Sequence, residues 1–420
     1  MKFSFVSSLV ALAATCLAAD VDSTSIKATL TSTTSVKVAS GCSFKDTYTA
    51  TAQSDLDKLA SCEAVQGDIF IGGTFGSAAI ANVKVIYGDL QVNSTDLIAL
   101  TGDSLTTITG TLKLQGLTVL STLSFANLAS VGAIEWVTLP ALVSTGLTSV
   151  TECNSIYISD TLLSSLDGLN PTDVEIFNIN NNLNLDSISS NIETVSNALT
   201  IAFNGDNTEV EFDDLKWANN ITFYSVASVS MSSLETVNKS AGFFKNGISS
   251  LEFPLITSIG ADLTIENNDD LNYIDFGNVT TIGGGLVIVN NTELLALDNL
   301  DNIKSVQGAV NLKGDFDNVT MSSLRTVRGA FDLETTGTAD CSPFESLSKK
   351  GSIQGSFVCK AAAKKVSSSS STGTKTKTST QTSESTTGTV SSISSTSKGD
   401  AAGLKASVFG TIAAVMLALF

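Results

Sequence analysis

One pattern of apolar and small residues is repeated three times in the second half of the chain, and it constrains the fold more than any other feature. The copies are Leu255 to Asn268, Val279 to Asn291 and Ile303 to Gly314. Each contains a short segment of alternating apolar residues, such as Leu263 and Ile265, which predicts a β-strand with one face turned inward. A unit this short cannot bury its apolar face alone. The units must therefore stack on one another.

Similar strands are predicted from Val65 to Glu334, at a spacing of roughly 22 residues that is typical of leucine-rich solenoids. Besides the three copies, they lie at 65–71, 85–92, 111–114, 133–137, 155–158, 174–179, 198–203, 220–224, 241–245 and 330–334. Glycines before strands indicate tight corners, namely Gly67, Gly88, Gly110 and Gly132. Few segments show helical periodicity. The sequence predicts a mainly β protein, a right-handed, leucine-rich-repeat-like parallel β-solenoid whose longest sheet has about thirteen short strands.

Both ends of the chain carry processing signals. Met1 to Ala19 combines one lysine, an apolar run and small residues, which predicts a secretory signal peptide rather than a structural helix or membrane span. Near the other end, a small-residue cluster precedes an apolar tail, Ala406 to Phe420. This order predicts a glycosylphosphatidylinositol (GPI) anchor at Gly399, alternatively Asp400, with removal of the tail. A C-terminal membrane anchor is disfavoured, because the apolar run is about 15 residues and a span needs roughly 20.

Two pairs of cysteines bracket the predicted repeats. In a secreted chain Cys42 and Cys62 are expected to form a disulfide around a short predicted helix at 52–62, and so to seal the first end of the solenoid. A loop of about 20 residues closed in this way contributes about 3 kcal/mol in the chain-entropy model. Cys341 and Cys359 are expected to close the other end.

The chain contains no histidine, which removes the usual general base, the Ser-His-Asp triad and the commonest zinc ligand. Cys153 is left without a partner once Cys16 is removed with the signal peptide. We expect it to be reduced, buried and inert rather than a nucleophile, because no histidine can activate it. The net charge of -18 makes nucleic acid a poor partner.

Asparagines cluster directly after several predicted strands. Their side chains can satisfy the polar backbone groups that stacked corners would otherwise bury, so a structural ladder is the leading interpretation. Sugar binding and metal coordination are the alternatives. The residues concerned are Asn180, Asn181, Asn182, Asn204, Asn267, Asn268, Asn290 and Asn291.

Six asparagines stand in acceptor sequences for N-glycosylation. In a chain with a secretory signal, this number predicts glycosylation at most of them. Two of the sites, Asn220 and Asn290, lie nearest to predicted strands and are the weakest candidates. The six are Asn93, Asn220, Asn238, Asn278, Asn290 and Asn318.

Carboxylate chemistry is the one enzymatic route left open. A carbohydrate-active enzyme on a parallel β-solenoid would need acidic residues at matching positions of adjacent coils. Asp213 with Asp214, and Asp269 with Asp270, are instead neighbours along one turn. We therefore predict no catalytic, cofactor-binding or metal-binding residues.

Four segments give the chain a family resemblance. Cys42 to Cys62, Asn204 to Phe223, Thr281 to Leu294 and Ile353 to Lys360 resemble the fungal GPI-anchored proteins built on receptor L-domain-like repeats, of the extracellular-mutant protein thirty-three and sporulation-specific protein two type. The resemblance covers nearly the whole chain. It implies a receptor L-domain-like solenoid in a cell-surface and cell-wall glycoprotein, required for wall integrity and organisation, without catalytic residues or cofactors.

The resemblance also implies that the two cysteine pairs are the end-cap disulfides and that the cluster at Gly399 is the anchor site. Cys153 does not belong to the family pattern. The expected organisation is a signal peptide (1–19), a flexible lead-in (20–41), a disulfide-bounded cap (42–64), the solenoid (65–334), a second cap (335–360), a Ser/Thr-rich stalk (361–399) and a GPI-attachment propeptide (400–420).

Three functions remain in competition at this point. The leading one is a non-enzymatic structural or scaffold protein, held at the plasma membrane by a GPI lipid and in contact with glucan or other wall components. The second is a receptor-like module that binds a polypeptide or glycan, which exposed aromatic residues on one sheet face would favour, although aromatics make up only 6% of the chain. The third is a carbohydrate-active enzyme.

Overall fold

The structure is a computed structural model in which residues 35–363 are described, with the exception of Thr95 and Asp206. The predicted signal peptide, residues 20–34 of the lead-in, most of the predicted stalk and the predicted anchor sites Gly399 and Asp400 lie outside the described residues. The rest is a mainly parallel β-solenoid of about 14 turns, which confirms the predicted fold class.

The principal sheet contains 22 strands that pair in parallel. Its strands form two adjoining columns, and in each column strands of successive coils lie side by side. Along the chain, the first column comes before a corner of the coil and the second column after it. Every coil contributes one strand to the second column. The strands that form or reach this second column are Tyr48–Ala50, Ile69–Gly72, Leu90–Asn93, Thr107–Gln115, Ser130–Leu139, Glu152–Thr161, Asp173–Asn180, Thr194–Ala202, Trp217–Tyr224, Ala241–Phe244, Leu263–Glu266, Leu286–Val289, Val310–Gly314, Phe331–Thr335 and Phe357–Lys360.

The first column lies just before a corner in each coil. In the middle of the chain, from Thr107 to Tyr224, one long strand per coil runs through both columns. Elsewhere the first column has separate short strands, which are Ala64–Gln66, Val85–Tyr87, Thr236–Val237, Ser258–Ile259, Thr281–Ile282, Ser305–Val306 and Thr326–Val327. The predicted count of about thirteen strands in the longest sheet was therefore too low, because the segments on both sides of the corner pair with their neighbours.

Short parallel strands also line a second side of most coils. They are Ser77–Ala79, Ala99–Thr101, Thr122–Ser124, Ser187–Ser189, Glu209–Glu211, Ser228–Ser230, Ser250–Glu252, Tyr273–Asp275, Ala296–Leu297 and Asn318–Val319. The described residues contain only two helices, Gln53–Leu59 and Ser342–Lys349, one near each end of the solenoid.

The core runs along the inside of the stack. The residues predicted to point inward, such as Leu263, Ile265, Leu286 and Ile288, have no exposed surface. Large side chains continue the contact from coil to coil, since the rings of Phe223 and Phe243 lie 5.8 Å apart, followed by Phe243 to Phe253 at 5.7 Å and Phe253 to Phe276 at 5.2 Å. Each coil thus completes the core of its neighbours.

Tight corners bring the backbones of successive coils together. At Gly88, with φ of 157°, a Cβ atom would lie 2.6 Å from the carbonyl oxygen of Gly67 in the preceding coil. That approach leaves no room for a side chain, so the glycine predicted to mark a corner is required there.

The other end of the second-column strand turns through a residue with positive φ. In successive coils these residues are Gly116, Thr138, Asp160, Asn181, Phe203, Ser225, Lys245, Asn267 and Asn290. Asparagine tolerates this left-handed conformation better than most residues, which explains why Asn181, Asn267 and Asn290 stand there.

The residue after this turn is a buried asparagine in five coils, and these side chains form hydrogen bonds between coils. The Oδ1 atom of Asn268 accepts the backbone N–H of Asn246 at 2.9 Å and its side-chain amide at 3.0 Å. The Nδ2 atom of Asn268 donates to the carbonyl oxygen of Phe243 at 3.1 Å and to Oδ1 of Asn291 at 3.0 Å. The buried asparagines are Asn182, Asn204, Asn246, Asn268 and Asn291.

This asparagine ladder has the structural role that the sequence indicated, with one member, Asn246, that the sequence interpretation had missed. It is interrupted between Asn204 and Asn246, where the buried Val226 takes the place of an asparagine and its N–H donates to Oδ1 of Asn246 at 3.0 Å. At its other end, Oδ1 of Asn182 accepts from the backbone N–H and hydroxyl of Thr161. Of the other asparagines in the predicted clusters, Asn181, Asn267 and Asn290 occupy the turn positions, and Asn180 ends the strand Asp173–Asn180.

Disulfides lie near both ends of the described solenoid. Cys42 is bonded to Cys62, beside the helix Gln53–Leu59, which buries Leu56 and Leu59. The strand Tyr48–Ala50 pairs with Ile69–Gly72, so this first cap is continuous with the stack.

The second cap repeats the arrangement. Cys341 is bonded to Cys359, and the helix Ser342–Lys349 packs Phe344 against Phe331 with ring centroids 4.7 Å apart. The strand Phe357–Lys360 extends the principal sheet by pairing with Phe331–Thr335. Each cap thus covers the apolar interior at one end of the stack.

Replacing one ladder asparagine tests its contribution to stability. Asn268→Ala leaves the buried N–H of Asn246 and carbonyl of Phe243 without side-chain partners, so we expect the free energy of unfolding to fall by about 3 kcal/mol. Urea denaturation followed by circular dichroism measures it.

The matched control is Asn272→Ala in the same coil, whose exposed amide makes one hydrogen bond of 3.4 Å to the carbonyl oxygen of Asp270. We expect a change of at most about 0.5 kcal/mol. Equal losses in both variants would contradict a structural role of the ladder.

Candidate functional site

The aspartates considered for catalysis lie on turns of the solenoid. Asp213 is half-buried, and its Oδ1 accepts the hydroxyl of Ser230 at 2.6 Å and the backbone N–H of Ser232 at 3.0 Å, both in the next coil. Asp214, Asp269 and Asp270 are exposed. The structure therefore gives Asp213 a role in capping a corner.

Other aspartates cap corners in the same way. Asp301 accepts the backbone N–H of Ser322 at 2.8 Å and the hydroxyl of Thr320 at 3.1 Å. Asp317 accepts from the backbone N–H and the hydroxyl of Thr338 at 3.0 and 3.1 Å. These carboxylates are engaged with the neighbouring coil.

Two pairs of carboxylates at matching positions of adjacent coils were missed in the sequence, Asp68 with Asp89 and Glu252 with Asp275. The repeated Gly-Asp before two strands could have revealed the first pair. Asp89 donates its backbone N–H to Oδ1 of Asp68 at 2.9 Å, and Oδ1 of Asp89 accepts the N–H of Thr111 at 2.7 Å. These hydrogen bonds continue from coil to coil and give Asp68 and Asp89 a structural role. In the second pair, Oδ1 of Asp275 accepts the backbone N–H of Gly277 at 2.9 Å.

Residues 35–363, as far as they are described, carry neither a candidate metal site nor a candidate membrane span. This region, as far as it is described, contains no group of three or more acidic, cysteine or histidine residues placed to hold a metal ion. Within the same limits, no helix combines the length and apolar character needed to cross a bilayer.

Cys153 is buried and is not part of a disulfide. Burial raises the pKa of its thiol to about 12. The Sγ atom lies 3.2 Å from the carbonyl oxygen of Ser155, which accepts its weak S–H hydrogen bond. A thiol with so high a pKa is almost wholly protonated at neutral pH and is a poor nucleophile.

The six predicted glycosylation acceptors differ in their accessibility. Asn220 is half-buried within the strand Trp217–Tyr224 and donates its side-chain amide to the carbonyl oxygen of Asn197 at 3.2 Å. The other five are exposed, and they are Asn93, Asn238, Asn278, Asn290 and Asn318. Asn290, which the sequence made a weak candidate, lies in a turn with its side chain accessible.

One surface cluster has aromatic side chains, and the sequence interpretation did not identify it. Phe203, Tyr224 and Phe244, here called the aromatic shelf, follow or end the second-column strands of three successive coils. The rings of Phe203 and Tyr224 have centroids 4.3 Å apart, and Nζ of Lys245 lies 5.6 Å from the centroid of Tyr224. The signal in the sequence was an aromatic residue near the end of three consecutive strands.

Several proteins with curated descriptions are similar to this chain. The cell wall mannoprotein PST1 of Saccharomyces cerevisiae is 42% identical over 320 residues, which cover 75% of this chain and 72% of the relative. The cell surface GPI-anchored protein ECM33 of Candida albicans is 36% identical over 351 residues, covering 82% and 84%. The protein ecm33 of Aspergillus fumigatus is 34% identical over 321 residues, covering 76% and 80%. No family model and no solved structure matches the chain.

The capping aspartates should make the stability of the fold fall as the pH becomes acidic. The pKa of Asp213 is lowered chiefly by the hydroxyl of Ser230, and that of Asp301 chiefly by the backbone N–H of Ser322. A carboxyl whose pKa is lower in the folded state contributes stability above its unfolded pKa and loses it as the pH falls through the folded value.

We therefore expect Asp213→Asn and Asp301→Asn each to lower the free energy of unfolding by about 1 kcal/mol at neutral pH. The difference from the parent should shrink as the pH falls below about 4. Urea denaturation at a series of pH values measures this, with Asp269→Asn as the control at an exposed aspartate. A difference that stayed constant with pH would contradict the carboxylate caps.

Proposed function

Because this chain belongs to the family of fungal GPI-anchored cell-wall proteins that includes PST1 and Ecm33, we propose that it is a non-enzymatic scaffold glycoprotein of the fungal cell surface and wall. In this role it maintains the integrity and organisation of the wall. The observation that carries the proposal is the similarity to a wall mannoprotein over 75% of the chain and to a cell surface GPI-anchored protein over 82% of it.

The arrangement of polar side chains supports a scaffold rather than an enzyme. The buried asparagines and the capping aspartates make hydrogen bonds between coils, and the thiol of Cys153 is buried. A catalytic site would need titratable groups free to meet a substrate. The names of the relatives describe structural proteins and do not by themselves exclude catalysis, so the absence of activity is part of the proposal.

The proposed organisation follows the family. Residues 1–19 are removed as a signal peptide, the segment 361–399 is an O-glycosylated stalk, and a GPI lipid is attached at Gly399, alternatively at Asp400. N-glycans occupy the five exposed acceptors, whereas Asn220 stays unmodified because its half-buried position within a strand hinders access to its amide.

The proposed wall partner is glucan or another wall component, with the plasma membrane reached through the lipid. Extraction of walls with detergent and then with glucanase shows which of the two holds the protein. Release by detergent indicates the lipid, whereas release by glucanase alone indicates transfer of the anchor to glucan.

Deleting residues 401–420 tests the proposed anchoring. We expect the protein to leave the cell surface and the wall to become as sensitive to a glucan-binding dye as in the full deletion. A deletion of equal length within the Ser/Thr-rich segment, residues 375–394, keeps the anchor signal and should leave dye resistance near normal.

Single changes of Asp214, Asp269 and Asp270 to Asn test the absence of catalysis, and we expect near-normal dye resistance in all three. One such change that reproduced the full deletion, with the protein still folded and at the surface, would establish an enzymatic role instead.

A further inference from the structure

Phe203 differs in residue type from the residues that occupy the same positive-φ turn in the neighbouring coils. Its φ is 54°, in the left-handed region that bulky side chains rarely adopt, and 39% of its surface is exposed. The comparable turns of the coils nearby hold asparagine, aspartate, serine or lysine. An exposed phenylalanine at such a position gains little from burial and has an unfavourable backbone conformation, so the fold alone does not account for it.

Two neighbouring coils place aromatic rings beside Phe203. Ala202 pairs with Tyr224, and Tyr224 pairs with Phe244, so the aromatic shelf crosses three coils and extends roughly 10 Å along the solenoid. Phe244 is folded back against the sheet over Gly242, where a Cβ atom would lie 2.5 Å from the ring. Because Gly242 has no side chain, the ring of Phe244 can pack directly on the sheet. The ammonium group of Lys245 lies against the ring of Tyr224.

Polar groups border the shelf. Thr200, Thr222 and Thr264 occupy one row of the same sheet face, with Gly242 between the last two. The three threonines are half-buried, and their hydroxyl groups have no hydrogen-bond partner within the described part of the chain. A ligand on the shelf would meet the exposed ring of Phe203 and the half-buried rings of Tyr224 and Phe244, together with a row of free hydroxyls.

This combination suits a neutral sugar polymer better than an apolar protein surface. A pyranose ring whose substituents are all equatorial presents a face of C–H groups, which packs on aromatic rings, and an edge of hydroxyls, which forms hydrogen bonds. The axial hydroxyl of mannose interrupts one such face. The length of the shelf is comparable to that of a disaccharide.

From this geometry we propose that the aromatic shelf binds a β-linked polymer of glucose-type pyranoses through Phe203, Tyr224 and Phe244. The inference rests on the proposed wall function and adds a binding site to it. The family supports a polysaccharide as the occupant, because the relatives are wall and surface proteins.

Binding of the full-length protein, purified from the surface of an expressing yeast, to particulate β-1,3-glucan, chitin and mannan tests the proposal. The parent protein should bind glucan or chitin and not mannan. Comparing its binding to glucan with its binding to chitin shows which of the two polymers the shelf takes. Phe203→Asn and Tyr224→Thr should each weaken binding roughly tenfold.

Phe203→Asn also separates binding from folding, because asparagine is already present at the same turn in three other coils. Its thermal unfolding temperature should equal or exceed that of the parent. The matched control is Tyr273→Thr, which removes a tyrosine that is 41% exposed on the short strand Tyr273–Asp275, away from the shelf. Its binding should remain unchanged.

The proposal is overturned if the parent binds neither glucan nor chitin, if it prefers mannan, or if the control loses as much binding as the shelf variants. Retained binding in both shelf variants would overturn it as well. Dye resistance of cells carrying the 401–420 deletion is scored in parallel. If that deletion weakens the wall while the purified protein binds no glucan or chitin, the wall function stands and the shelf is not its binding site.

Discussion

Parallel pairing between coils is the interaction on which the structure depends. A single coil has too little interior to bury its own leucines and isoleucines, and its strands expose backbone hydrogen-bonding groups on both edges. Stacking meets both needs, because each strand pairs with the next coil and each inward side chain packs on the next layer. Only the two ends lack a neighbour, and a helix with a disulfide lies at each of them.

The same stacking determines what polar side chains can do. At the end of a second-column strand the backbone leaves the sheet, and its buried N–H and carbonyl groups need other partners. Asparagine supplies an acceptor and a donor from one side chain, so Asn246, Asn268 and Asn291 bond to each other and to the backbone. Aspartates such as Asp213 and Asp301 act as acceptors only, and at half-buried turns they accept backbone N–H groups of the next coil. The buried asparagines and Asp213, which suggest chemistry in the sequence, thus have structural roles.

Function is then left to the surface, where the coils differ from one another. Five predicted glycan acceptors are exposed, and one sheet face carries the aromatic shelf beside free threonine hydroxyls. A solenoid repeats each outward position once per coil, so a similar side chain in neighbouring coils becomes a continuous strip. In the shelf this repetition turns three separate aromatic residues into one surface.

The sequence by itself determined the repeat length, the inward positions such as Leu263 and Ile265, the short helix before Cys62 and the structural use of Asn268, because all of these follow from local periodicity and side-chain chemistry. Only the tertiary structure decided that the segments on both sides of a corner join one sheet, that Asn246 belongs to the ladder, and that Phe203 meets Tyr224. The reason is physical. A residue's neighbours in the adjacent coils lie about 22 positions away in the sequence, so its contacts depend on the register in which the coils stack. Small differences in coil length shift this register, and the sequence of a single repeat does not specify it.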